Sequence, residues 1–478
     1  METQTLAIPG VVSTLPACRI DGAGQAQVDQ RAVLALALPL MVESAVQIAM
    51  SLTDMWFVGH ISTKALAAVG AVQLLIIVIM CVLGGVAVPV QAIVAQSEGA
   101  GCYRRASHAG WTALWASLCV LPLFAWVGMS SAWILAPFGL DASIQALASE
   151  FWFPRVFAAW LGVAVWAILG FFNGVGRTQV TLLVSIATAI ANVPLNALFI
   201  FTLDYGIAGS AWATVIAQAC GLVLALAIFL GPHYRTKYAS HLTWRPRFYR
   251  LRQQIRLGIP MGLLPAGDYL GIWLFQIMQV RLGTTAGAAT QLVMMLISMA
   301  FMPGMGIASA GTTLVGEAIG AGDRAWARRI GTRVIVVTML YMGGVGLLLA
   351  LSGTWILPFF TGANDADSAA TAALGARLLW LAAAYQLFDG LYVGASHCLR
   401  GAGDAVVPAS LALPVSALFF VPLAHSLTFA PGEGWVDFLP QFGLGAVGGF
   451  LAVIVYVTLL GSTLWLRWRS RAWQRIRI

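Results

Sequence analysis

Four acids lie inside long apolar stretches of this 478-residue chain: Glu43, Asp54, Asp268 and Asp389. A carboxylate at the centre of a membrane-spanning helix costs about 2.5–3.5 kcal/mol even on the lenient insertion scale, and less near an interface. A chain keeps such a group where it faces protein or water, and the chemistry open to it there is holding a proton or a cation. Polar neighbours fall at related depth. Asp54 stands four residues from the outer end of its run, Asn196 seven and Asn192 eleven from the outer end of another, and Thr214 eight from the outer start of the next. Asn192 and Asn196 are spaced i,i+4 and share a helix face. One carboxylate, two amides and a hydroxyl form an all-oxygen set suited to Na⁺ or to a proton held on the carboxylate. The amides and hydroxyl are equally suited to plain interhelical hydrogen bonds.

A second set is carried by the other half of the chain. Asp268 is eleven residues in from the inner start of its run and Asp389 nine from the inner end of another. At about 1.5 Å per residue both lie near the midplane. Tyr385 and Gln386 stand a turn or less before Asp389. Glu43 either faces a cavity or bonds a neighbouring helix. Gln47 and Gln276 supply amides along the first and seventh runs. Met294, Met295 and Met299 form a stripe on the eighth run, which serves either packing or varied apolar ligands.

The elements that position these residues follow from composition. Hydrophobic residues make up 60% of the chain and charged residues 9%, with mean hydropathy +0.86. Soluble domains carry about 25% charged residues. Apolar runs of twenty residues and more exclude a transmembrane β-barrel, whose strands alternate over about ten. The class is an all-α polytopic membrane protein. Twelve spans are predicted at 33–58, 65–97, 110–128, 150–172, 179–203, 206–231, 257–280, 286–320, 328–359, 372–398, 404–430 and 441–467. Pro89, Pro303 and Pro414 are predicted kinks.

Charge gives orientation. With the N-terminus inside, the inner loops and tails hold 22 of the 26 Lys and Arg, while the outer loops hold Lys64, Arg155, Arg281 and Arg377 beside the acids Asp141, Glu150, Asp204, Asp365, Asp367, Glu433 and Asp437. Both termini are therefore expected in the cytoplasm. The net charge of +8 is topogenic on this reading, so no nucleic-acid partner is expected. Residues 1–30 are predicted to be a disordered cytoplasmic tail with neither the basic region nor the apolar core of a signal peptide. Residues 232–256 form a basic cytoplasmic loop, and 468–478 a basic tail. The loop separates six spans (31–231) from six more (257–467).

These halves repeat each other. Leu36-Ala37-Leu38-Pro39 matches Leu257-Gly258-Ile259-Pro260, Gly99-Ala100-Gly101 matches Gly320-Ala321-Gly322, and Val193-Pro194-Leu195 matches Val421-Pro422-Leu423, in the same order. An even number of spans per half makes the repeat parallel. Two six-helix bundles related by a pseudo-twofold along the membrane normal, around a central cavity, are expected. Enzyme signals fail. There is no Walker A sequence, Phe388-Asp389-Gly390 lies mid-span, and six cysteines and six scattered histidines show no metal spacing. Neither disulfides nor a cofactor is expected.

The chain resembles the multidrug and toxic compound extrusion (MATE) transporters, and within them the NorM-like branch. The resemblance rests on Leu52-Thr53-Asp54-Met55-Trp56-Phe57-Val58-Gly59, Asn192-Val193-Pro194-Leu195-Asn196, Leu257-Gly258-Ile259-Pro260 with Asp268 beyond, Tyr385-Gln386-Leu387-Phe388-Asp389, and Leu399-Arg400-Gly401-Ala402-Gly403-Asp404. It covers residues 31–465. It implies cation-coupled efflux, with Na⁺ or H⁺ as the coupling ion and small organic cations or drugs as substrates, from a monomer in the bacterial inner membrane. Residues matching Asp54, Asn192, Asn196 and Thr214 form an N-lobe cation or proton site in relatives. Those matching Asp268 and Asp389 pair in a C-lobe site with Tyr385 nearby, so Na⁺ is conceivable at all three acids. The position of Asp268 carries a Glu in the NorM-like branch, and Asn196 is an Asp in some relatives. The alternative is a lipid-linked oligosaccharide flippase of the same superfamily. Its cavity would need several cations for a pyrophosphate, whereas the sequence offers only Arg333 and Arg377, near span ends.

Overall fold

A computed structural model describes residues 15–21, 25–136, 142–361, 366–436 and 438–476. Most of the expected N-terminal tail, the acids Asp141, Asp365 and Asp437 expected in outer loops, and Arg477 lie outside the described residues.

The helices are α1 (Gln30–Gly59), α2 (Thr63–Gly84), α3 (Val90–Gly99), α4 (Tyr103–Met129), α5 (Ser131–Leu135), α6 (Ala142–Gly174), α7 (Thr178–Ala197) and α8 (Gly206–Phe229). They continue with α9 (Pro232–Tyr238), α10 (Phe248–Arg281), α11 (Thr284–Gly320), α12 (Arg324–Thr361), α13 (Ala366–Gly401), α14 (Val406–Pro414), α15 (Val421–Thr428) and α16 (Gly445–Arg469). Among the described residues, eleven helical stretches are long and apolar enough to cross a membrane, counting α2 with α3 and α14 with α15. The twelfth span is α10. It has 34 residues, but Pro260, Pro265, Asp268, Gln276 and Gln279 dilute its apolar character.

The expected kinks have two outcomes. A tight 3₁₀ turn, Gly85–Ala87, precedes Pro89 and divides the second span, and a π-helical turn, Val415–Phe420, follows Pro414. A proline removes one hydrogen bond from the ladder, and these irregular turns absorb the loss. Around Pro303, α11 runs unbroken. A π-helical turn at Leu198–Thr202 also follows Pro194.

Two polar segments outside the spans are ordered, and the first corrects an expectation. Within the expected disordered tail, Cys18–Ile20 and Ala26–Val28 pair as an antiparallel hairpin. The Trp326 indole donates to Pro16 O at 2.9 Å, and Asp29 caps α1 through Arg31 N. The basic loop is also structured. It contains α9 and the first turns of α10, and it is fastened to α4 by the indoles of Trp111 and Trp115, which donate to Ser240 O and Trp244 O, each at 2.7 Å. Buried indole N–H groups need acceptors, and loop carbonyls supply them.

The chain divides into two compact units. One holds residues up to Ala266 together with Thr312–Arg328; the other holds Gly267–Gly311 and Arg329–Arg477. The first unit thus takes the ends of α10 and α11, and glycine is what admits them. A Cβ on Gly262 would stand 2.3 Å from Cys81 O, and one on Gly320 would stand 2.1 Å from Gln96 O. Gly258 with Gly262, and Gly316 with Gly320, are small-residue pairs at the spacing that lets helix backbones touch. Large side chains of α4, α6, α8 and α9 fill the same unit, with Phe171 lying 4.7 Å from Phe229 and 5.4 Å from Tyr238 between ring centroids.

Candidate coupling sites

In the first unit, α1, α7 and α8 bring together the set predicted from depth. Asn192, Asn196 and Thr214 are buried, one exposed at 1% and two at 0%. Asn196 Nδ2 donates to Asp54 Oδ1 at 2.9 Å and to Asn192 Oδ1 at 2.9 Å. Asn192 and Thr214 also approach Asp54 as side-chain hydrogen-bonding neighbours, while Asn196 Oδ1 has no partner in the described structure. A buried amide edge without a partner is costly, so this site has capacity for a further polar occupant. Thr214 donates to Ser210 O at 3.1 Å on its own helix, which leaves its oxygen lone pairs free. Asp54 also lines a cavity of about 160 Å³ with Ser51, Gln73, Arg155, Ser210 and Thr214.

Arg155 corrects the sequence reading. The charge count places it with the outer-loop cations, although it falls five residues inside the expected fourth span, 150–172. The helix α6 instead begins at Ala142, so Arg155 lies well inside it and shares the Asp54 cavity. The available signal was its flanks, Phe151-Trp152-Phe153-Pro154 and Val156-Phe157, which are not loop residues.

In the second unit, Asp268 on α10 is gripped at both oxygens. Tyr456 on α16 donates to Oδ1 at 2.6 Å and Tyr392 on α13 donates to Oδ2 at 2.7 Å. Asp389, 4% exposed on α13, lies close enough to Asp268 to feel its charge and has Tyr385 as a hydrogen-bonding neighbour one turn earlier. Its Oδ2 has no partner. Gln386 is fully buried and donates to Ile297 O at 2.9 Å, so it anchors α13 to α11 and does not reach the acids. Tyr392 and Tyr456 were missed. Tyr392 is three residues after Asp389, a legible spacing; nothing in the sequence pattern links Tyr456 to Asp268.

The remaining candidates separate from both sites. Glu43 accepts from Gln47 Nε2 at 3.2 Å and from Ser185 Oγ on α7 at 3.3 Å, a bond between neighbouring helices, which was one of its two expected roles. Gln276 is half-buried on α10. Met295 and Met299 are exposed and Met294 is half-buried, so the stripe is a surface of its unit rather than core.

The MatE family model matches residues 39–198 and 270–425, one stretch in each half of the sequence. A multidrug resistance protein NorM from Burkholderia vietnamiensis is 31% identical over 390 residues, covering 78% of this chain and 81% of the relative. A probable multidrug resistance protein NorM from Bradyrhizobium diazoefficiens is 29% identical over 450 residues, covering 92% and 93%. The solved outward-facing structure of a multidrug resistance MATE family transporter superposes with a TM-score of 0.80 at 19% identity, covering 93% of this chain and 96% of that one. The chain belongs to the MatE family and has its twelve-span fold. It is a multi-pass membrane protein of a transporter family and not an enzyme.

Proposed function

We propose that the protein is a secondary active multidrug efflux antiporter that exports amphipathic or cationic organic compounds in exchange for Na⁺ or H⁺. The observation that carries this reading is the pair Asp268 and Asp389, two acids of one unit held among tyrosines with the Asp389 Oδ2 atom unpartnered. Two carboxylates in a water-poor interior attract cations strongly, and a proton or Na⁺ relieves their mutual repulsion. Antiport requires that the coupling ion and the drug favour different openings of the protein. A cation that neutralises these acids removes their attraction for a cationic drug, so loading the ion promotes release of the drug. Asp54, with Asn192, Asn196 and Thr214, acts as the N-lobe coupling site. The NorM names of the relatives support drugs as the substrate class. The charge bias of the sequence supports an inner-membrane orientation with both termini cytoplasmic, and the protein works as a monomer.

The test is accumulation of a fluorescent organic cation in everted vesicles, driven in turn by a sodium gradient and by a pH gradient. Transport under one of them is expected, and Asp54→Asn, Asp268→Asn and Asp389→Asn are each expected to abolish it while the protein remains in the membrane. Full efflux by all three variants would sink the mechanism.

A further inference from the structure

Arg155 and Asp54 open onto the same cavity of about 160 Å³, one from α6 and one from α1. A guanidinium keeps its charge in any protein environment, and an unpaired one inside the membrane is costly. Among the described residues, Asp54 is the charged group that acts on Arg155, and Arg155 the one that acts on Asp54. Yet no contact within 4.0 Å joins them. The two ion pairs of that range among the described residues are Lys237–Glu98 and Arg467–Asp404. The cavity therefore lies between opposite charges, and it is large enough for several waters at about 30 Å³ each. Asp54 Oδ1 is held by Asn196, so the carboxylate is fixed from one side and open to the cavity.

We propose that Arg155 is the resident counter-cation of Asp54: its guanidinium neutralises the unloaded N-lobe site and competes with the coupling cation for the carboxylate. Loading of Asp54 then requires the guanidinium to give way, and unloading is helped by its return. Arg155 acts through Asp54 and is a positioning residue. The long, flexible stem of an arginine suits such a part, because the head can move several ångströms while α6 stays in place. The proposal rests on Asp54 being a coupling acid, and it is tested by binding alone, so that its failure is separate from a failure of efflux.

The test uses purified full-length protein at pH 8.5, where a proton competes least, and follows thermal unfolding with increasing Na⁺ at ionic strength held constant with K⁺. A ligand bound only by the folded state raises the unfolding temperature. Arg155→Gln should gain a Na⁺-dependent rise of several degrees beyond the wild type. Arg155→Lys, which keeps the charge, should not gain it, and the double variant Asp54→Asn/Arg155→Gln should lose it. An Arg155→Gln protein that responds to Na⁺ as the wild type does overturns the proposal, as does a gain that survives Asp54→Asn. Should Arg155→Gln alone not fold, the double variant should fold better, because it leaves no charge stranded; a double variant that folds no better than Arg155→Gln also overturns it.

Discussion

Removing the Tyr456 hydroxyl tests what holds Asp268 between ion-binding events. Asp268 receives two O–H donors, Tyr456 at 2.6 Å on one oxygen and Tyr392 at 2.7 Å on the other. A hydrogen bond to a charged group is worth about 1.5–3 kcal/mol. Both donors stabilise the empty anion more than the loaded carboxylate, whose charge is already shared with the ion. If about half of one bond's worth is lost differentially, the loaded state gains about 1 kcal/mol, and the full lower bound of about 1.5 kcal/mol would be slightly more than a tenfold change in affinity. Tyr456→Phe should therefore bind the coupling ion roughly five- to tenfold more tightly and turn over more slowly, because release is the step made harder. The ring of Tyr456 stacks on Phe420 at 4.7 Å between centroids, and phenylalanine preserves that packing. Tyr392→Phe should act in the same direction. The assay is drug efflux from proteoliposomes as a function of coupling-ion concentration, with the unfolding temperature as a check on integrity. A weaker affinity would mean that the hydroxyl oxygen ligates the ion; an unchanged one would mean that the hydroxyl is irrelevant to it. Either result refutes the reasoning.

Three further outcomes are expected. Gly262→Leu should lower the unfolding temperature by several degrees, since its Cβ would meet Cys81 O at 2.3 Å and Gly85 Cα at 2.7 Å, and overpacking against unyielding backbone costs about 1–3 kcal/mol or more; Gly344→Ala, with nothing within 4 Å of the added Cβ, should leave it unchanged or raised. Arg467→Met should cost about 3–5 kcal/mol of stability, because it strands Asp404, which is 2% exposed and bonded to Arg467 Nε at 2.8 Å. The double variant Asp404→Asn/Arg467→Met should cost less, and additive losses would show that the two side chains do not act as a pair. In single-cysteine proteins, a maleimide applied to everted vesicles should label Cys102, which is exposed, faster than Cys18. Burial, and then the charge of Asp323, push the Cys18 thiol up, so at neutral pH it holds less of the reactive thiolate, and raising the pH should narrow the gap. Faster labelling of Cys18, or labelling of both from right-side-out cells only, would contradict the thiol argument or the orientation respectively.

How much of this was legible in the sequence depended on distance along the chain. Helix existence was legible because twenty apolar residues have few alternatives, and the Asn192/Asn196 face because i,i+4 spacing fixes it. Meeting of Asp54 with Asn196, 142 positions apart, was legible only through depth counting, which works because helices crossing one membrane share a ruler. The same ruler failed at Arg155. The error was to read every outer-side cation as loop charge: residue 155 falls within the expected span 150–172, and α6, which begins at Ala142, carries it well inside the helix. The grip of Tyr456 on Asp268 was not legible, since it depends on how α16 is rotated against α10, which sequence periodicity does not specify. The hairpin at Cys18–Val28 was missed for another reason. Polar, glycine-containing segments read as disordered until a partner such as Trp326 gives them something to pack on.

The two sites differ in their charge inventory, and that difference bears on what each does in the proposed exchange. Around Asp54 one acid and one base line the same cavity, and under the counter-cation proposal their charges offset each other. Around Asp268 and Asp389 there are two acids and, among the described residues, no base acting on either; tyrosine hydroxyls disperse the charge but cannot cancel it. A dispersed but uncancelled charge in low dielectric has to be neutralised from outside, by a proton, by a metal cation or by a cationic drug. In the proposed exchange the C-lobe pair is therefore the place where ion and drug compete for the same attraction, the condition under which one expels the other. The Asp54 site cannot compete in that way while Arg155 is present. Its ion must instead displace a tethered charge, which ties loading to a movement of the protein and suits it to sensing the conformation rather than to holding the drug.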